Sequence, residues 1–144
     1  MAIIKSASAR YESFGKDGKG FVSTQSEVLN NQPYGFNTRF EDQKGTNPEE
    51  LIAAAHASCY TMALSFALEK EGYKDGQLET SAHVHLEKDG EGFKVSRSEL
   101  QLKAKVKGID EVAFTKFAED AKINCPISKM INAQISLQHE FTQL

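Results

Sequence analysis

Two cysteines, Cys59 and Cys125, carry the most reactive side chains in this chain of 144 residues. A thiol attacks as its thiolate, and a helix N-terminus or a nearby cation lowers the pKa that sets how much thiolate exists. Cys125 fits that rule locally. It stands in Asn124-Cys125-Pro126, where the proline suits the first turn of a short helix running to about Asn132, and Lys122 and Lys129 are close in sequence. Cys59 does not fit, because it lies inside an apolar stretch where desolvation alone raises a thiol pKa, so it needs a cation from elsewhere. Free cysteines are also commonly small core hydrophobes, and spacing alone leaves the inert and the redox readings both standing.

The histidines offer less. His83 and His85 share one face of an alternating segment, but no further ligand has a recognisable metal-site spacing, so both read as exposed strand residues and no metal is expected. His56, three residues before Cys59, reads as a satisfied buried histidine, and His139 has no assigned role.

The element that must position Cys59 covers residues 47–72, NPEELIAAAHASCYTMALSFALEKEG. Asn47 is a good N-cap, Pro48 suits the first helical position, and Glu50 stands where a capping-box carboxylate returns to the cap amide. At the other end Gly72 can turn left-handed, with Tyr73 packing on Leu68 as in a Schellman stop. Between these caps the helix is apolar on nearly all sides and rich in alanine, which predicts burial and close approach by other elements.

Upstream, residues 6–11 and 20–25 favour strands joined by a turn at Gly15-Lys16-Asp17-Gly18. Residues 30–33 break the pattern, and residues 35–41 (GFNTRFE) alternate as a third strand that carries Arg39. Downstream, residues 80–86 place Ala82, Val84 and Leu86 on one face. Asp89-Gly90 turns the chain, and residues 93–106 form a longer strand with Leu100, Leu102, Ala104 and Val106 inward. Asp110 caps a helix buried through Phe114, Phe117, Ala118 and Ala121, and Ile135, Leu137 and Phe141 mark a last strand. The expected class is α+β, an antiparallel sheet wrapped on a long central helix, as one domain over residues 1–144.

With a net charge of −3 and scattered lysines and arginines, the chain has no electrostatic footprint for nucleic acid or an anionic membrane. Its first residues lack the apolar run of a secretory signal, and no segment is expected to reach the length of a membrane span. A cytoplasmic location is therefore expected, where a structural disulfide is improbable.

Three runs, LNNQPYGFNTRFEDQKGT, NPEELIAAAHASCYTMALSFALEKEGY and NCPISKM, together resemble the OsmC/Ohr family of thiol-dependent hydroperoxide reductases. The similarity extends over nearly the whole chain. It is closer to the OsmC branch, because Arg39 stands just before the long helix rather than in the first hairpin loop. The resemblance implies that Cys59 is the peroxidatic thiol and Cys125 the resolving one, paired as a disulfide during turnover, with Arg39 and Glu49 completing the site. It also implies an intertwined homodimer, an organic hydroperoxide substrate, a dithiol reductant of the lipoyl type and no cofactor. Tyr60 departs from the phenylalanine often found after the first cysteine and could bring a hydroxyl near the pocket. The bland alternative for Glu49 is a favourable first-turn charge. A redox sensor that passes oxidation to a partner protein, and a structural stress protein with inert thiols, are the alternatives.

Helix geometry adds a constraint. Glu49 and Cys59 are separated by about 15 Å along a straight helix and by roughly 80° around it, more than a glutamate side chain spans. The expectation is a shared site, with Arg39 and Glu49 of one copy serving Cys59 and Cys125 of another.

Overall fold

The structure, a computed structural model, describes residues 1–144 as two compact units, Met1–Leu51 and Ile52–Leu144. In the first unit, β1 (Ala7–Glu12) and β2 (Lys19–Thr24) form the expected antiparallel hairpin around a 3-10 turn at Gly15–Asp17. A third strand, β3 (Gln32–Tyr34), pairs with β2 and lies at the sheet edge, where Pro33 does not interrupt a two-sided ladder. The predicted break at 30–33 is thus partly strand.

The predicted strand over 35–41 is instead a short helix, α1 (Phe36–Phe40), with Arg39 in its last turn. Phe36 and Phe40 are four apart, a spacing that satisfies both strand alternation and a helical turn. Their ring centroids meet at 5.1 Å. Thr38 decides the outcome locally, since its hydroxyl accepts the Gly35 amide proton at 2.9 Å and closes a turn at the helix start. In the loop that follows, Gly45 has φ +150°, and a Cβ there would stand 2.6 Å from the Pro33 carbonyl oxygen, so this close passage admits only glycine.

The long helix is α2 (Pro48–Lys70). The Asn47 side chain accepts the Glu50 amide proton at 2.9 Å, as expected of the cap. The reciprocal arm differs: the Glu50 carboxylate accepts from the Thr46 hydroxyl at 3.0 Å. The Schellman stop forms as predicted, with Tyr73 N–H to Leu68 O at 3.0 Å, Gly72 N–H to Glu69 O at 2.9 Å and Gly72 at φ +94°.

The second unit packs α2 against a three-stranded sheet, β4 (Gly76–Asp89), β5 (Gly92–Val106) and β6 (Gln134–Gln143), and against α3 (Glu111–Asn124) and the short α4 (Pro126–Met130). Tyr60, Leu64, Leu100, Leu102, Phe114 and Ala118 form the centre of its core. Asp110 caps α3 through the Ala113 amide at 2.8 Å. The sheet is mixed rather than antiparallel, because β6 runs parallel to β5. Alternation assigns faces but not direction. The connection between these strands carries both α3 and α4, the long crossover that a parallel pair needs.

The expectation of all-round burial for α2 also needs correction. His56, Tyr60, Leu64 and Leu68 form a buried stripe, while Ala54, Ser58, Met62 and Phe66, offset by about 200° and so on the opposite side, are exposed, Met62 at 58% and Phe66 at 66%. A second correction concerns length. With 23 residues and a mean hydropathy of 1.5 over its most apolar window, α2 is long and apolar enough to cross a membrane, contrary to the expectation that no segment is. Its polar groups, however, bond to the chain's own core: Tyr60 to α3, Thr61 to β4, and His56 to β5 and α4.

Candidate active site

Two clusters hold the residues singled out from the sequence. The first is an ion pair. Arg39 donates from Nε to Glu49 Oε2 at 3.0 Å and from Nη2 to Oε1, a fork-to-fork contact between the last turn of α1 and the first turn of α2. The Glu49 carboxylate is 12% exposed and the Arg39 side chain 33%, so the guanidinium is held in one orientation while part of it stays open. Its carbon also lies 5.3 Å from the Phe40 ring centroid. Glu49 therefore does more than complement the helix dipole.

The second cluster contains both thiols. Cys125 caps α4 and is fully buried, whereas Cys59 is partly exposed. The Cys125 side chain and the Ile127 backbone amide both lie close enough to the Cys59 sulfur to act on its titration. Burial, followed by the Cys125 hydrogen bond, pushes the Cys59 pKa above the ordinary thiol value, and the Ile127 amide opposes that rise. The sequence assigned the first amides of α4 to Cys125, the residue preceding them. In three dimensions an amide of that turn serves Cys59 instead, a relation between distant segments that no local spacing reveals.

Tyr60 is fully buried and donates its hydroxyl to the Ala118 carbonyl at 3.0 Å. Burial and then the Glu119 charge raise its pKa. Its hydroxyl thus joins α2 to α3 and does not serve a pocket. His85 pairs with Glu99 at 3.2 Å on the polar sheet face, His83 is exposed, and His139 Nε2 contacts the Thr115 hydroxyl at 3.2 Å.

His56 is the residue that the sequence undervalued. Its ring is fully buried, with Nδ1 2.7 Å from Ser98 Oγ and Nε2 2.8 Å from Ser128 Oγ. Its spacing to Cys59 was visible, but both serine partners are remote in sequence. Burial lowers the His56 pKa below 6.5, so the folded state keeps it neutral where an unfolded chain would take up a proton. Stability contributed by this group is present above about pH 6.5 and falls as pH drops toward the lowered folded value, by at most about 1.4 kcal/mol per pH unit. Urea unfolding between pH 7.5 and 5.5 is expected to show this loss, and His56→Asn to show a smaller slope. Equal slopes would mean that His56 is not the group responsible.

With this geometry in view, the family model described as OsmC-like protein matches residues 41–140. Peroxiredoxin OsmC of Escherichia coli is 48% identical over 140 residues, covering 97% of this chain and 98% of the relative. Organic hydroperoxide resistance protein-like 1 of Staphylococcus epidermidis is 32% identical over 120 residues, covering 83% and 84% of the two chains. Among solved structures, the organic hydroperoxide resistance protein OhrB of Bacillus subtilis superimposes with a TM-score of 0.69 at 26% identity, covering 97% of this chain and 98% of that one. The fold is α+β of the OsmC/Ohr type. The chain belongs to the OsmC family.

Proposed function

We propose that this protein is a thiol-dependent peroxidase that reduces organic hydroperoxides, and hydrogen peroxide more weakly, in defence against oxidative and osmotic stress. The observation that carries this reading is the adjacency of a partly exposed thiol, Cys59, and a buried one, Cys125. The names of the relatives, a peroxiredoxin and organic hydroperoxide resistance proteins, support it.

The Cys59 thiolate attacks one peroxide oxygen. The O–O bond breaks, an alcohol leaves after taking up a proton, and Cys59 becomes a sulfenic acid. Cys125 then displaces water from that sulfenic acid, forming the Cys59–Cys125 disulfide. An external dithiol reduces the disulfide and is itself oxidised. The raised Cys59 pKa makes an added cation necessary. Arg39, aimed by Glu49, supplies it and stabilises both the thiolate and the departing oxyanion.

The reading includes a homodimer of one domain per chain, working in the cytoplasm. The exposed stripe of α2, with Met62 and Phe66 among small residues, supports a second copy as its cover. The reductant is a dithiol of the lipoyl class, because the second sulfur of a dithiol closes on the mixed disulfide intramolecularly.

The test supplies cumene hydroperoxide in large excess over protein, with either dihydrolipoamide or glutathione. Sustained consumption, faster with dihydrolipoamide, is expected. Oxidation that stalls after one equivalent with every reductant would favour the redox sensor, and equal or better turnover with glutathione would contradict the dithiol assignment.

A further inference from the structure

Cys125 must reach the Cys59 sulfenic acid before a second hydroperoxide does, and the piece of structure that carries Cys125 is small. Helix α4 has five residues and begins at Cys125, its N-cap. So short a helix has little stability of its own and takes its position from tertiary contacts. One such contact comes from α2. Ser128 is 8% exposed, and its hydroxyl lies 2.8 Å from His56 Nε2. The other nitrogen of the same ring, Nδ1, is held by Ser98 of β5 at 2.7 Å. His56 therefore sits between sheet and α4, three residues before Cys59 and on the same helix.

A neutral imidazole offers one donor and one acceptor, and a serine hydroxyl can act as either, so both ring nitrogens are satisfied without a charge. The ring is fully buried and held at both nitrogens. The same α4 turn supplies the Ile127 amide to the Cys59 sulfur.

We infer that His56 is a positioning residue, which through Ser128 holds α4 so that Cys125 captures the Cys59 sulfenic acid before that sulfur is oxidised further. This rests on the peroxidase reading above. Two steps compete for one intermediate. In resolution, the Cys125 sulfur bonds to the Cys59 sulfur, and the sulfenic oxygen leaves as water with the thiol proton. In over-oxidation, a second hydroperoxide transfers an oxygen to the Cys59 sulfur, its O–O bond breaks, an alcohol departs, and a sulfinic acid remains. A loosened α4 slows the first step, which needs the approach of Cys125, whereas the second step needs no such approach.

The experiment measures the ratio of Cys59–Cys125 disulfide to Cys59 sulfinic acid by peptide mass mapping. The protein is exposed to graded cumene hydroperoxide in the presence of dihydrolipoamide. Ser128→Ala is expected to raise the sulfinic fraction per turnover about tenfold, the kinetic weight of one buried hydrogen bond. His56→Asn should act in the same direction, and Ser128→Thr, which restores a hydroxyl, should return the ratio toward wild type. Leu78→Ala, a truncation on β4 against the same core, is the stability control and should lower Tm without moving the ratio. If Ser128→Ala and His56→Asn shift the ratio no more than Leu78→Ala does, the positioning role is overturned while the peroxidase reading stands. If wild-type Cys59 is not oxidised at all, both readings fall together.

Discussion

Cys59→Ser is expected to reduce hydroperoxide consumption to the uncatalysed background. A serine hydroxyl at this position has no base aimed at it and remains protonated at neutral pH, so it cannot attack the O–O bond. Cys125 does not replace it, being fully buried where Cys59 is partly exposed. The companion variant separates the two roles. Cys125→Ser should still form Cys59 sulfenic acid once, trapped by dimedone in single turnover, and then accumulate sulfinic acid because no resolving thiol remains. If Cys125→Ser blocks the first oxidation and Cys59→Ser permits it, the roles are reversed. That is the order the local sequence around Cys125 would have suggested.

The second large effect concerns Arg39. Removing a fixed positive group from a site where negative charge develops costs about a hundred- to a thousandfold in rate. Arg39→Ala is expected to fall in that range and to move the pH midpoint of Cys59 alkylation upward, since burial already raises that pKa and the proposed mechanism assigns the compensating charge to Arg39. Arg39→Lys should recover only part of the loss. A lysine keeps the charge but not the two-pronged contact that Glu49 makes with the guanidinium. The same variant tests whether sites are shared between copies. Mixing inactive Cys59→Ser and Arg39→Ala proteins under exchange conditions gives heterodimers in which, for a shared site, one site holds both lesions and the other neither. Activity should return toward half of wild type per heterodimer. No recovery after verified exchange would place all four residues within one copy.

The parts of the fold that could be read from the sequence were those fixed by local chemistry. Asn47, Pro48 and Gly72 bound α2 because capping and left-handed termination are contests between neighbouring residues. Leu100, Leu102, Ala104 and Val106 declared the buried face of β5 through simple alternation. Local sequence misleads where two patterns coincide or where partners are distant. Residues 36–40 satisfy both periods at once, and the turn closed by Thr38 favoured the helix. The direction of β6 depends on its crossover, not on its own residues.

The site divides along the same line. The Arg39–Glu49 contact, expected from family resemblance, is a bidentate ion pair in the structure. The buried bridge from His56 to Ser98 and Ser128 spans α2, β5 and α4, and nothing in the spacing of those three residues announces it. The nearness of Ile127 to Cys59 is hidden for the same reason.

Disulfide mapping after a single equivalent of cumene hydroperoxide tests most directly whether Cys59 and Cys125 act as one redox pair. Non-reducing digestion and mass spectrometry should find one Cys59–Cys125 linkage within each chain, consistent with Cα atoms within about 7 Å or brought there by a small movement of α4. Cross-links only between chains, or a Cys59 sulfenic acid that persists beside a reduced Cys125, would contradict it.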